Sequence, residues 1–312
     1  MKKIFVKEIE KGEFEDIFIL KKIRKKEKRD GGFFYEIYIS DKTGEIKGYI
    51  FDNLEKFENL KEGIFMIKGE AYERDGELVF KLKDIKEVEE INLEELLPLS
   101  PRDIKEMENS LDGILTTIEN PYLRKLLNLI FNDPNIRKEF LKAPAAKKYH
   151  HAYIGGLIEH TLNVVEVVEA LLEIYPDVSR DIILTGALLH DIGKIKTYEY
   201  EKGIDISDAG KLIDHIGIGL VIVHGAIKKI ENFPEDLKLR ILHMIASHHG
   251  EKDKGALMLP CTEEAILLHF ADYIETTMFK FKKAREESKK NERWSDYQKE
   301  LQRSIFLGGG EE

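Results

Sequence analysis

Ile182-Ile183-Leu184-Thr185-Gly186-Ala187-Leu188-Leu189-His190-Asp191-Ile192-Gly193-Lys194 is the stretch from which the rest of the chain is best understood. Ile182 to Leu189 carries no charge and reads as a buried helix. Gly193 is placed to terminate that helix, leaving His190 and Asp191 near its end. An adjacent histidine and aspartate can reach one centre only where the backbone turns in this way. Chance alone produces the dipeptide readily in a chain with ten histidines, so its meaning depends on what accompanies it.

All ten histidines lie between His150 and His269, and the first 149 residues have none. His160 stands on a helix, Gly155 to Leu172, whose other face carries Leu157, Val164, Val168 and Leu171. Asp272 stands on a later helix containing Leu267 to Asp272. His160, His190, Asp191 and Asp272 make a mixed nitrogen and oxygen set. Such a set suits a divalent ion, Mn²⁺ foremost, with Fe²⁺, Co²⁺, Ni²⁺ and Mg²⁺ compatible. His215 and His224 on the helix Leu212 to Ile230, with His248-His249, are enough for a second ion bridged by Asp191. Two ions about 4 Å apart clamp phosphoryl and leaving oxygens and acidify water, so no protein nucleophile is required.

The remaining histidines are weighed singly. His243 and His269 read as hydrogen-bonded core residues. His224 stays open between core and ligand. His150 and His151 could support a ligand, face substrate or lie on the surface, and His151 is counted among the substrate-binding candidates.

The first half reads as β. Glu15 to Lys22, Phe33 to Ser40, Glu45 to Phe51, Ile64 to Tyr72 and Glu77 to Lys86 are short and rich in β-branched and aromatic residues. Asp30-Gly31-Gly32, Asp41 to Gly44 and Asp75-Gly76 separate them as turns. Asp52 to Leu60 reads as a short capped helix. Five strands with a helix after the third is the element order of an OB-fold barrel.

Lys21 to Arg29 (KKIRKKEKR) places seven positive charges in nine positions, in the expected connection between the first two strands. Phe33, Phe34, Tyr35 and Tyr38 follow, and alternate members of that set would face outward. Charge that tracks phosphates beside rings that stack on any base suits single-stranded nucleic acid. Lys21, Lys22, Arg24, Lys25, Lys26 and Phe34 are the candidates for that contact.

From Asn92 the pattern turns helical, with Ser100-Pro101 as an expected cap, and helices are expected to about residue 306 before a frayed glycine-rich tail. The expected layout is multidomain: an all-β OB-fold over 1–92, a helical connector over 93–125, an all-α bundle over 126–306 and a tail over 307–312. The net charge of −10 excludes binding a polyanion through global charge, so nucleic-acid contact needs a local basic patch. The single cysteine, Cys261, excludes an internal disulfide and suits a reducing cytoplasm. The apolar run after Met1-Lys2-Lys3 stops at Val6, which is no signal h-region. No stretch reads as the ~18 apolar residues of a membrane span. A cytoplasmic chain with no membrane partner is expected.

These residues resemble the HD superfamily of metal-dependent phosphohydrolases, whose signature is H…HD…D on a helical bundle. More narrowly, Ala145 to Thr161 (AAKKYHHAYIGGLIEHT), Leu188 to Lys194 (LLHDIGK) and Ser247 to Gly250 (SHHG) are similar to segments of the YhaM-type 3′→5′ exoribonucleases, which also carry an N-terminal OB-fold. The resemblance implies metal ligation by His160, His190, Asp191 and Asp272, completed by His215 and the His248-His249 pair. It implies that Lys194 lies near the substrate phosphate and acts with Asp191 in catalysis. It further implies hydrolysis of RNA from the 3′ end, with nucleoside monophosphates as product. Two rival expectations are an HD enzyme acting on small or cyclic nucleotides and a non-catalytic nucleic-acid-binding adaptor.

Overall fold

The structure, a computed structural model, describes residues 2–28, 31–88, 93–147, 151–200, 203–288 and 292–308. It divides into two compact units, Met1–Leu99 with Glu199–Asp205, and Ser100–Tyr198 with Ile206–Glu312.

In the first unit β1 (Gly12–Glu27), β2 (Phe33–Asp41), β3 (Gly44–Ile50), β4 (Gly63–Arg74) and β5 (Glu77–Glu87) close into a barrel of strand order β1-β2-β3-β5-β4. β1 pairs with both β2 and β4, and β3 runs parallel to β5, as an OB-fold requires. Alternation along the strands fills the interior with Phe14, Phe18, Leu20, Ile37, Ile39, Ile50, Ile67 and Phe80. Asp75 and Gly76, both at positive φ, make the two-residue turn between β4 and β5. A Cβ at Gly48 would overlap the Phe80 ring, so the interior admits only glycine there.

Two expectations change in this unit. Residues 52–60 form only a 3₁₀ turn, Leu54–Phe57, preceded by Asn53 in the left-handed region. Lys21 to Glu27 is not a connection but the second half of β1, which continues past a bulge between Lys21 and Arg24. Arg29, His150 and the tail beyond 308 lie outside the described residues.

The second unit contains α1 (Ile104–Thr117), α2 (Pro121–Phe131), α3 (Pro134–Lys142), α4 (Gly156–Ile174), α5 (Arg180–Leu189), α6 (Lys194–Thr197), α7 (Asp208–Ile227), α8 (Glu235–Ser247) and α9 (Glu263–Glu287). Asp103, Asn120 and Asp133 cap α1, α2 and α3 by accepting first-turn N–H groups, with proline next in α2 and α3. The cap of α1 is therefore Asp103, not Ser100, whose hydroxyl instead donates to Glu159. α1 and α2 share one core with the later helices through Met107, Leu111, Leu123 and Leu126, so residues 104–131 are part of the bundle.

Helical structure stops earlier than the sequence suggests. After α9, bridges Trp294–Phe306 and Gln298–Arg303 fold the chain back into a small hairpin. Contrary to the expectation of no such stretch, α7 is long and apolar enough to cross a membrane by length and composition. It is kinked at Asp214 and contributes Ile216, Val223 and Ile227 to the bundle core.

Candidate metal centre and barrel face

Five helices of the second unit bring their chemistry to one point. α4 supplies His160 from its first two turns. α5 ends at Leu189, and the turn after it carries His190 and Asp191. Gly193 does not end the helix through a left-handed conformation, since its φ is −64°. It permits close approach instead: a Cβ would overlap the carbonyl oxygen of His215, so only glycine lets this turn lie against α7. Asp214 adopts φ 64°, and the kink it makes re-aims His215. His248 stands at the end of α8, His249 follows it, and α9 presents Asp272.

Asp191 is the hub. Its Oδ2 lies 3.3 Å from His160 Nε2 and 3.3 Å from His190 Nε2, and His160 Nε2 lies 3.4 Å from Asp272 Oδ1. Its Oδ1 lies 3.6 Å from His215 Nε2 and 3.7 Å from His248 Nε2. His249 completes a group with His215 and His248.

The imidazoles are aimed by what their far nitrogens touch. His190 Nδ1 donates to Ala187 O at 2.8 Å and His248 Nδ1 to Ile245 O at 2.9 Å, both using carbonyls left over in a final helical turn. His249 Nδ1 donates to Lys254 O at 2.9 Å, and His215 Nδ1 to Asp214 Oδ1 at 2.5 Å. His160 Nδ1 donates to Glu275 Oε2 at 2.7 Å. Carbonyl and carboxylate oxygens only accept, so each Nδ1 carries a proton and each Nε2 is turned toward the Asp191 centre.

Asp191 Oδ1, His215 Nε2 and His248 Nε2 are buried with no hydrogen-bond partner among the described residues. Each such atom costs about 1–3 kcal/mol. Three meeting at one spot fit a bound cation, because bonds of about 2.1 Å hold neighbouring donors about 3–3.5 Å apart. Two sets of ligand-type side chains, His160-His190-Asp272 and His215-His248-His249, thus flank the two oxygens of Asp191.

Electrostatics follow the same plan. Burial works against charge on Asp191, but Lys194 and His190 outweigh it and hold the carboxyl well below the usual range. Lys194 is buried, with Nζ 2.6 Å from Asp191 Oδ2, so it is not a solvated lysine; the Asp191 charge overcomes burial and raises it. Burial, with His249 alongside, holds His248 well below an ordinary imidazole and therefore neutral.

A second layer escaped the sequence reading. Glu275 accepts from His160, from His151 Nε2 at 2.7 Å and from Asn163 Nδ2 at 3.0 Å. Its only sequence signal is its place one helical turn beyond Asp272. His151 is 1% exposed, bonded to Glu275 and to Tyr153 through its two nitrogens, and packed on Phe279. That placement sets His151 behind His160, through the Glu275 they share, and leaves it almost no exposed surface. His243 accepts from Cys261 N and His269 bonds His248 O, while His224 lies half-buried outside the cluster.

On the barrel, Phe34 of β2 and Tyr49 of β3 both stack on Phe51, which follows β3, with centroids 5.8 and 5.5 Å away; Phe34 and Phe51 are half-buried and Tyr49 is buried. Lys26 lies opposite Phe34 in the β1–β2 register, and Lys28 sits 5.8 Å above Phe51. Lys25 covers Phe33, and Lys22 covers Tyr38 while pairing with Glu45. Lys21 and Arg24 share that strand. Tyr35 turns inward and is core.

Residues 157–277 match the HD domain family. The chain is 27% identical to the 3′-5′ exoribonuclease YhaM of Geobacillus sp. (strain WCH70) over 289 residues, 91% of this chain and 88% of that protein. It is 27% identical to 3′-5′ exoribonuclease YhaM of Bacillus subtilis (strain 168), covering 84% of each. The helical unit therefore contains an HD domain at residues 157–277, and the chain is similar to the YhaM exoribonucleases along nearly its whole length.

Proposed function

We propose that this chain is a metal-dependent exoribonuclease that removes nucleoside 5′-monophosphates from the 3′ end of single-stranded RNA. The observation that carries the reading is the convergence of anchored imidazoles on a buried aspartate with unsatisfied donors around it. The alignment with YhaM exoribonucleases supplies the substrate and the polarity.

Two divalent ions, Mn²⁺ foremost, are the proposed cofactors. His160, His190 and Asp272 with Asp191 Oδ2 would hold one, and His215, His248 and His249 with Asp191 Oδ1 the other. Bound there, such ions polarise a phosphoryl oxygen and acidify water. The protein's part is to hold the ligands in one tautomer and to place a buried cation, Lys194, at the wall where a scissile phosphate would rest. The barrel's rings would stack bases while Lys21, Lys22, Arg24, Lys25, Lys26 and Lys28 follow the phosphates. Cys261 is an exposed free thiol, consistent with placing the chain in the cytoplasm.

The test incubates the protein and its Asp191→Ala variant with 5′-labelled RNA and Mn²⁺, beside a DNA strand and mononucleotides. A shortening RNA ladder from the unaltered chain alone is expected. Turnover of mononucleotides only would make it a small-nucleotide enzyme. Tight RNA binding with metal bound and no turnover would make it an adaptor.

A further inference from the structure

The HD unit contains a cavity of about 550 Å³ whose wall includes Asp191, Lys194 and Asp272, the later part of α9, and the tip of the hairpin at 294–306. That volume lies within the range of pockets that enclose a small ligand. Four cations line it, and they are not equivalent. Lys194 is taken by Asp191 and Lys254 by Glu251. Lys280 and Arg303 form no ion pair among the described residues, and Glu300, also on the wall, pairs with neither.

Arg303 is held in place. It sits beside the turn of the hairpin, which Ser295 N–Ile305 O and the Trp294–Phe306 ring contact close. Its Nε donates to Leu301 O at 2.8 Å, leaving the terminal guanidinium nitrogens for a ligand. Lys280 stands eight residues beyond Asp272, about 12 Å along α9. Helical side chains lean toward the helix N-terminus, which here is the direction of Asp272.

We propose that Lys280 and Arg303 form a second phosphate subsite, so that the HD unit grips two consecutive phosphates of a strand end. This rests on the exoribonuclease reading. A strand entered from its 3′-hydroxyl end has further phosphates only on the 5′ side of the scissile one, so the second phosphate is that neighbour. An arginine fork and a lysine point charge suit a phosphodiester or a terminal phosphate, whereas a bare hydroxyl offers them nothing comparable.

The test compares dinucleotides with and without a 5′-phosphate. The unaltered chain with Mn²⁺ is expected to show a KM at least about tenfold lower for the phosphorylated form, from the added charge-assisted contacts. In Lys280→Ala/Arg303→Ala that advantage shrinks to about twofold or less. Equal KM values in the unaltered chain, or an advantage that survives in the double variant, overturn the proposal and leave the exoribonuclease reading intact. Binding of both dinucleotides, measured in an Asp191→Ala background with and without the two further substitutions, decides the subsite even if nothing is hydrolysed. A preference for the phosphorylated form that needs Lys280 and Arg303 supports it, and no preference refutes it. Absence of hydrolysis on RNA and dinucleotides alike counts instead against the exoribonuclease reading.

Discussion

Glu275 Oε2 accepts the proton of His160 Nδ1 at 2.7 Å, one helical turn beyond Asp272 on the same helix. A single turn of α9 thus supplies a carboxylate to the centre and another that aims an imidazole at it. Glu275→Gln keeps the shape but introduces a donor where two histidines and an asparagine now donate. Metal affinity is expected to fall about 10- to 100-fold with helicity retained. Competition against a chelator measures it, and an unchanged affinity would remove Glu275 from this role.

Gly193→Ala tests the close approach behind the His190-Asp191 turn. The added methyl meets the His215 backbone, which cannot rotate away as a side chain could. We expect a loss of about 1–3 kcal/mol or more in stability, together with weakened metal binding through displaced His215. A variant with the parent melting temperature and metal content would show that the turn has slack.

Metal uptake should depend on pH through His160. Burial disfavours its charged form, yet hydrogen bonds with Asp191 and Glu275 outweigh burial and raise it to about 10 without metal. The raised value stabilises the metal-free fold below the ordinary imidazole range, and that contribution is lost as pH rises through about 10. A cation taking Nε2 must displace this proton, so affinity falls about tenfold for each pH unit below 10. Calorimetry at pH 8 in buffers of different ionisation heat should find about one proton released from this site. No proton release there contradicts the assignment.

The barrel face predicts a substrate-length effect. Phe34→Ala should weaken long single-stranded RNA by about 1–3 kcal/mol. Neutralising Arg24 and Lys25 should lower the salt slope by about 0.7 per charge. Both changes should harm long RNA far more than a dinucleotide, and equal losses on the two would take the barrel out of substrate binding.

Much of this architecture could be read from residue order. Strand alternation and turn residues marked all five barrel strands, and apolar patterning marked the helices that carry His160, His190, His215 and Asp272, but not α8, which ends at His248. What stayed hidden depends on tertiary neighbours. β1 runs on to Glu27 because β2 pairs with the basic stretch, a partner invisible in a run of lysines. The Asp214 kink has no glycine or proline to announce it; the carboxylate's bonds to His215 hold it. Glu275 looks like any helix-surface glutamate until three donors surround it. The hairpin at 294–306 rests on two isolated bridges, too few for any periodicity.

Asp272, Glu275, Lys280 and Arg303 all follow His249 in the chain, on α9 and the hairpin after it. A fragment cut off before α9 would keep most of the imidazoles but lose both the acid beside His160 and the carboxylate that anchors its ring. On the exoribonuclease reading, a single cut between α8 and α9 that releases the later piece silences the enzyme while leaving its histidines in place.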